Sequence, residues 1–156
     1  MVGIKVVSTG HAVPDKVVTN DDLSRVVDTN DEWIYSKTGI KERHFCENET
    51  NWELALKAAD TAIERAGIDK SEIGMLIVAT FTPDYAAPSI ACVLHEKMGL
   101  RTDIPSFDLN AACAGYVYGL KVAASLLQNS KERYALVIGS EQISSVFHPL
   151  SENKSS

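Results

Sequence analysis

The run MLIVATF, residues 75–81, constrains the fold more than any other stretch, because seven residues follow one another without a charge. A continuous apolar run of this length is typical of a strand that is buried on both faces of a sheet. Two further runs also predict strands and are mostly apolar, with one charged residue at or near the end of each: IPSFDL, residues 104–109, and YALVIGSE, residues 134–141. Because helical patterns separate these runs, the sequence predicts strand–helix–strand units and therefore an α/β fold with a parallel or mixed sheet.

The stretch TNWELALKAADTAIERAG, residues 50–67, has the clearest helix signals in the chain. Thr50 and Glu53 have the spacing of a capping box, and Gly67 is placed to end the helix. The predicted inner face consists of Leu54, Ala58, Ala62 and Ala66. Charged residues on the opposite side predict that water covers the outer face.

The remaining segments carry weaker signals. IKVVSTGHAV predicts a first strand, NDDLSRVV a short acidic helix, and DEWIYSKTGIKERHFC a loop that runs into a short hairpin. PSIACVLHEKMG predicts a helix, with proline near its start and glycine at its end. The last nine residues, HPLSENKSS, are polar and predict a disordered tail.

A predicted helix from Cys113 to about Gln128 differs from the others, because Lys121 is its one charged residue. A helix that is apolar nearly all round needs cover on more than one side. Five or so strands and a few helices supply too little cover for this. The sequence therefore predicts a missing packing partner, which is either another subunit or more chain.

Charge and cysteine content limit the class of function. The net charge of -6, without a dense cluster of lysine and arginine, argues against nucleic acid as the main partner. Cys46, Cys92 and Cys113 are odd in number, form no CxxC pair and predict no disulfide framework. With no secretory leader and no membrane span expected, the sequence predicts a cytoplasmic protein. No spacing of histidine and cysteine resembles a metal site.

SFDLNAACAGYVYGL, residues 106–120, is the stretch that points to chemistry. It places Cys113 between a predicted strand and a predicted helix, where the helix dipole and unpaired N–H groups favour the nucleophilic thiolate. The same N–H groups can stabilise the oxyanion that forms when a thiolate attacks a thioester. The alternative from the residues alone is a buried cysteine that serves as a small apolar side chain.

DLNAACAGYVYGL resembles the active-site elbow of the β-ketoacyl-acyl-carrier-protein synthase III family. The segments GHAVPDKVVTNDDL, TNDEWIYSKTGIKERH, AADTAIERAGI, IGMLIVATFTPDYAAPS and LVIGSE follow in the order of that family, so the resemblance covers roughly residues 3–145. It implies a thiolase-like fold, in which two similar halves stack as layers of helix, sheet, buried helix, sheet and helix. This chain is expected to form one half, a mixed five-stranded sheet with helices on both faces.

The resemblance also implies roles for individual residues. Cys113 matches the nucleophile, and Trp33 matches a tryptophan that stacks on the adenine of coenzyme A. Thr29 matches a residue that lines the nucleotide site, and Lys37 stands where the family commonly has arginine near the phosphates. Ala87 matches a residue that reaches across a dimer interface to the neighbour's acyl pocket, where alanine implies a roomier pocket.

The implied reaction is the condensation that starts fatty acid synthesis. Acyl-coenzyme A acylates the cysteine, and malonyl-acyl-carrier protein then supplies the carbon nucleophile that gives a 3-oxoacyl product. Acyl-coenzyme A is here a substrate, and no cofactor or metal is implied. A homodimer is the expected assembly.

The resemblance ends where the chain ends, at about half of the family's length. Residues 1–147 are expected to form the N-terminal half-domain and residues 148–156 the tail, while the family's catalytic histidine and asparagine belong to the absent C-terminal half. No sequence signature pairs Cys113 with any of the histidines present, which are His11, His44, His95 and His148. The chain alone is therefore predicted not to complete the condensation. The alternatives are a truncated non-catalytic remnant and a half-protein that needs a separate second half.

Overall fold

Helices and strands alternate along residues 3–145, which are the residues that the computed structural model describes. In chain order they are β1 (Lys16–Thr19), α1 (Asn20–Ser24), α2 (Asp31–Thr38), β2 (Glu42–Phe45), α3 (Asn51–Ala66), β3 (Ile73–Ala79), α4 (Ile90–Met98), β4 (Ser106–Leu109), α5 (Gly115–Leu127) and β5 (Tyr134–Gly139). Short 3₁₀ turns occupy Lys70–Glu72, Ala112–Ala114 and Ile143–Ser145. No helix in this range is both long and apolar enough to cross a lipid bilayer.

The described residues divide into two compact units. The first contains residues 3–12 and 50–141, and the second contains residues 13–49 and 142–145. The first unit holds β3, β4 and β5 with the three longest helices, and the second holds β1 and β2 with α1 and α2. The predicted tail at residues 148–156 lies outside the described residues.

The first unit is organised around β3, the apolar run that most constrained the prediction. The parallel strands lie in the order β4–β3–β5, with Leu76 beside Ser106 on one side and Leu136 on the other. Every residue of β3 is buried. This confirms the prediction of a strand buried on both faces, which a parallel sheet requires when helices cover it.

Successive residues of β3 point to opposite layers of the first unit. Leu76 and Val78 belong to a core cluster with residues of α3 and α4, whereas Met75 and Ile77 pack with Ala123 of α5. This alternation is the period of two that side chains have along a strand. The prediction of helices on both faces of the sheet is therefore confirmed.

The structure corrects the expectation of a single five-stranded sheet that begins near the N-terminus. The five strands of residues 3–145 form two sheets, a parallel one of three strands and an antiparallel one in which β1 pairs with β2. Residues 3–14 contain no strand, and two residues of this segment form hydrogen bonds with α3. The Ser8 hydroxyl donates to the Ala62 carbonyl at 2.6 Å, and Arg65 donates to the Thr9 carbonyl at 3.0 Å.

Helix α2 corrects a second expectation, since its residues were predicted as a loop. The Asn30 side chain accepts a hydrogen bond from the Trp33 amide at 2.8 Å and caps the N-terminus. Asp31 and Glu32 lie in the first turn, where carboxylates interact favourably with the helix dipole. Gly39 ends the helix at φ 71°, a conformation that glycine adopts without strain. These end signals outweigh the modest helix propensity of the interior.

The C-terminal helix of the first unit presents one face to the sheet and the opposite one to solvent. Gly115, Gly119 and Ala123 of α5 are buried. Tyr116, Val117 and Tyr118 are 46%, 64% and 54% exposed, respectively. The sequence predicted that such a helix needs cover on more than one side. The covering partner stays a prediction.

In the second unit, Glu49 stabilises the chain next to β2 in a way that depends on pH. Its carboxylate accepts hydrogen bonds from the amides of Glu47 at 2.9 Å, Asn48 at 3.2 Å and Asp15 at 3.3 Å. These bonds, led by the one from Glu47, lower the pKa of Glu49 from its ordinary 4.5 to about 2.

We expect the Glu49→Gln variant to lose an acid-sensitive part of the wild-type stability. Because the folded-state pKa is depressed, the contribution of the carboxylate is full above pH 4.5 and disappears as the pH falls toward 2. Thermal melts across this range should therefore show the two proteins furthest apart above pH 4.5 and converging near pH 2. The control is Glu42→Gln on β2, which removes a carboxylate that accepts none of these bonds. A constant difference between the Glu49 variant and wild type at all pH values would contradict the prediction.

Candidate active site

Small residues on α5 fix how closely this helix approaches the sheet. A Cβ atom on Gly119 would lie 3.0 Å from Cγ1 of Val137, and one on Gly115 would lie 3.2 Å from Cβ of Ala79. Both distances are shorter than ordinary van der Waals contacts. Helix α5 therefore packs against β3 and β5 at a distance that only small side chains allow.

The turn between β4 and α5 contains a backbone conformation that is uncommon outside glycine. Ala112 adopts φ 45°, which makes it the one residue other than glycine with a positive φ among the described residues. Ala112 is the first residue of the 3₁₀ turn Ala112–Ala114, which leads directly into α5, and the Ala114 amide donates to the Ala111 carbonyl at 3.1 Å. Strained conformations of this kind occur often at functional sites.

The turn exposes the Cys113 side chain. The sequence predicted Cys113 in the first turn of the helix, but the structure places it in the 3₁₀ turn Ala112–Ala114, two residues before α5 begins. No side chain within the described residues caps the N-terminus of α5. The amide of Gly115, the first residue of α5, donates to the Ala112 carbonyl, so the backbone of the turn and not a side chain satisfies the start of this helix.

Cys113 lies at the C-terminal edge of the parallel sheet. The Thr80 amide, just after β3, donates to the Leu109 carbonyl at 3.2 Å, and the Ser140 amide, just after β5, donates to the Ala79 carbonyl at 3.1 Å. The chain segments that follow all three strands thus meet at one edge, which is where α/β proteins bind ligands.

Two histidines of the described residues make contacts that do not involve Cys113. Nδ1 of His95 lies 2.7 Å from the Ser106 hydroxyl, and Nδ1 of His44 lies 2.6 Å from the Pro14 carbonyl. His148 lies outside the described residues. Within residues 3–145 no group of three histidine, cysteine, aspartate or glutamate side chains is arranged to hold a metal ion.

The three residues that were predicted to bind coenzyme A lie in the second unit. Trp33 and Lys37 are one turn apart on the same side of α2, and the Trp33 side chain is 58% exposed. Thr29 lies just before this helix, and its buried hydroxyl has no hydrogen-bond partner among the described residues. An exposed indole and an ammonium group at this spacing suit an aromatic ring and a phosphate of one ligand.

Ala87 lies in the first unit, in the segment between β3 and α4. Its side chain is exposed, as are those of Tyr85, Ala86 and Pro88. The structure thus brings Ala87 and Cys113 into one unit and places Thr29, Trp33 and Lys37 in the other.

The comparison with known proteins decides the family. The family model for 3-oxoacyl-[acyl-carrier-protein (ACP)] synthase III matches residues 107–156, which include Cys113. The β-ketoacyl-[acyl-carrier-protein] synthase III of Acholeplasma laidlawii is 49% identical over 144 residues, or 92% of this chain. The enzyme of the same name from Rickettsia canadensis is 50% identical over 143 residues, or 91% of this chain.

The chain belongs to the β-ketoacyl-acyl-carrier-protein synthase III family. The recognition made from the sequence is therefore confirmed. The chain spans about half the length of the curated relatives it matches, 46% of the Acholeplasma protein and 45% of the Rickettsia protein.

A solved structure supports the fold of this synthase III chain. The crystal structure of 3-oxoacyl-[acyl-carrier-protein] synthase III from Aquifex aeolicus matches with a TM-score of 0.87 and 40% sequence identity. The match covers 92% of this chain and 46% of the Aquifex chain. The thiolase-like α/β fold predicted from the sequence is thereby confirmed.

Sequence reasoning missed two carboxylates at the same sheet edge. Glu141 follows β5 and accepts hydrogen bonds from Thr80, Phe81 and Thr82. Asp108 on β4 accepts hydrogen bonds from the first two amides of α4. Asp108 belongs to the motif DLNAACAGYVYGL and Glu141 to the motif LVIGSE. The signal that could have identified them is a charged side chain at the end of a buried apolar run.

Proposed function

We propose that this chain supplies the nucleophile-bearing N-terminal half of a condensing enzyme and that Cys113 accepts an acyl group from acyl-coenzyme A. The exposed thiol in the strained turn before α5 is the observation that carries the proposal. The Cys113 sulfur attacks the thioester carbonyl carbon, and the bond between that carbon and the coenzyme A sulfur breaks. Coenzyme A leaves as a thiol with the proton that the cysteine gave up.

The roles of the other predicted residues follow from this reaction. Trp33 would stack on the adenine, Lys37 would neutralise phosphate charge, and Thr29 would line the same nucleotide site. Ala87 would border the acyl pocket of a neighbouring subunit in a homodimer. The small side chain at this position favours acyl groups longer than acetyl.

The second stage of the proposed reaction consumes malonyl-acyl-carrier protein. Loss of carbon dioxide from the malonyl group leaves a carbanion, which attacks the acyl carbon and releases the Cys113 thiolate with a 3-oxoacyl product. In the family this stage uses a histidine and an asparagine that match no residue of this chain. We therefore expect acylation of Cys113 by this chain alone but no condensation. The cytoplasmic location stays a prediction.

A second candidate is a half-protein that becomes active only with a separate polypeptide that corresponds to the second half of the family. The exposed apolar side chains Tyr116, Val117 and Tyr118 on α5 favour this candidate, because a monomer rarely leaves such a patch uncovered. Formation of the 3-oxoacyl product only after that polypeptide is added would support it.

Intact mass spectrometry tests the leading proposal. The purified chain is incubated with acetyl- and octanoyl-coenzyme A, and the modified residue is located by peptide mapping, because Cys92 is also exposed. We expect one acyl group on Cys113 and none on the Cys113→Ser variant. A folded wild-type chain without an adduct, or an adduct that persists in the serine variant, would show that Cys113 is not the acceptor and would favour the non-catalytic remnant.

A further inference from the structure

The segment Thr80–Ser89 joins β3 to α4, and its first three residues donate hydrogen bonds to the carboxylate of Glu141. Oε1 of Glu141 accepts a hydrogen bond from the Phe81 amide at 3.0 Å. Oε2 accepts from the Thr82 amide at 3.1 Å, the Thr82 hydroxyl at 2.5 Å and the Thr80 hydroxyl at 3.2 Å. One side chain therefore fixes three consecutive residues where the chain leaves the sheet. Hydrogen bonds to a charged acceptor are among the stronger ones in proteins.

A buried amide holds this arrangement from the other side. Asn51 is 0% exposed, and its Nδ2 donates to the Thr80 hydroxyl at 3.0 Å, the Thr82 carbonyl at 2.9 Å and the Ser140 carbonyl at 3.3 Å. The Thr80 hydroxyl accepts from Asn51, so its own proton is directed to Glu141. The positions of donors and acceptors around the carboxylate are thus determined.

Two further carboxylates attach the rest of the segment. Asp84 accepts from the amides of Asn51 and Trp52, both at 2.9 Å, which ties the middle of the segment to α3. Asp108 accepts from the amides of Ile90 at 2.9 Å and Ala91 at 2.8 Å, which ties the start of α4 to β4. Only the stretch from Tyr85 to Pro88, which contains Ala87, is exposed throughout.

We propose that Glu141 is a positioning residue that fixes the path of Thr80–Ser89 and thereby decides which acyl groups Cys113 accepts. The first part of this inference depends only on the contacts above. The second part rests on the proposed function, because it requires that Ala87 borders an acyl pocket. Glu141 itself contacts residues 80–82 and acts on acyl selection through the segment.

Amide hydrogen exchange measured by NMR on the full chain tests the first part. In Glu141→Gln, the new amide group places N–H donors against the donors of Thr82, so the Phe81 and Thr82 amides should exchange about tenfold faster. Amides inside β3 and β5 should be unchanged. The matched control is Glu132→Gln, which removes a carboxylate that pairs with Arg101 at 2.6 Å and does not contact Thr80–Ser89.

The Thr82→Val variant provides a second test that does not depend on the folding of the first variant. It removes the hydroxyl donor to Glu141 and keeps the shape of the side chain. The Thr82 amide should exchange faster in this variant. In the double variant that combines Glu141→Gln with Thr82→Val, this amide should exchange no faster than in Glu141→Gln alone. Wild-type exchange at Phe81 and Thr82 in both single variants would overturn the positioning role.

The ratio of octanoyl to acetyl transfer onto Cys113 tests the second part. A change of several-fold in this ratio in Glu141→Gln, with unchanged alkylation of Cys113 by iodoacetamide, supports acyl selection through the segment. An unchanged ratio on an acylated Cys113 overturns it. If Cys113 takes no acyl group at all, the proposed function fails, and the exchange rates alone still decide whether Glu141 positions the segment.

Discussion

Replacement of Gly119 by leucine is expected to separate α5 from the sheet and to cause the largest loss of stability among single changes on this helix. A Cβ atom at this position already lies 3.0 Å from Val137, and the remaining leucine atoms have no space between the helix and β5. Forced overpacking of this kind costs about 3 kcal/mol. For a chain of this size the thermal midpoint should fall by about 6–12 °C.

The position of the thiol should change together with the stability. Because α5 begins two residues after Cys113, displacement of the helix also displaces the turn, and acylation of Cys113 should be lost. Ser125→Leu adds the same side chain to an exposed position of the same helix and should change the midpoint little. A Gly119→Leu variant with the same thermal midpoint as the wild type would show that the stability does not depend on the close packing of α5.

Replacement of Ala112 by valine is expected to have the second largest effect, and it acts directly on the turn. Ala112 has φ 45°, a conformation in which a β-branched residue is strongly disfavoured. The strain should cost about 1–3 kcal/mol and should rotate the peptide that precedes Cys113. We therefore expect a lower urea midpoint and loss of the acyl adduct.

The matched variant Ala112→Gly separates conformation from chemistry. Glycine adopts a positive φ without steric cost, so this variant should be at least as stable as the wild type and should still acylate Cys113. If the valine variant kept both its urea midpoint and its adduct, the turn would not depend on the conformation of residue 112.

Much of the first unit could be predicted because local signals and tertiary packing agree there. The Thr50 and Glu53 side chains form the predicted capping box, and Gly67 ends α3 at φ 63°. The apolar run of β3 became the central strand, as its lack of charges required. At these positions the sequence and the fold favour the same conformation.

Prediction was less accurate where a tertiary contact decides which side chains of a helix are buried. The buried residues of α3 include Ala55, Ala59 and Ile63, whereas the prediction favoured Ala58 and Ala62. Ala55, Ala59 and Ile63 face the main apolar core. Ala58 and Ala62 are only half-buried, on the side of α3 that the N-terminal segment covers near Gly10. No local sequence pattern predicts that a neighbouring segment will bond to a helix.

The residues of the candidate site could also be predicted only in part. Cys113 was identifiable from its motif, and the structure gives it an exposed position at the end of the sheet. Glu141 and Asp108 were not identified, because their importance depends on amides of residues that are distant in sequence. The separation of Trp33 and Cys113 into two units was equally invisible in the sequence.

The strand order β4–β3–β5 has a consequence for the synthesis of this protein on the ribosome. The central strand is made first, and its second neighbour, β5, follows about 60 residues later. At ordinary rates of translation this delay is about 3–12 s. During that time a fully apolar strand lacks one of its partners and can pair with the same strand of another nascent chain. The yield of folded protein should therefore depend more on chaperones and on the rate of translation than its final stability suggests.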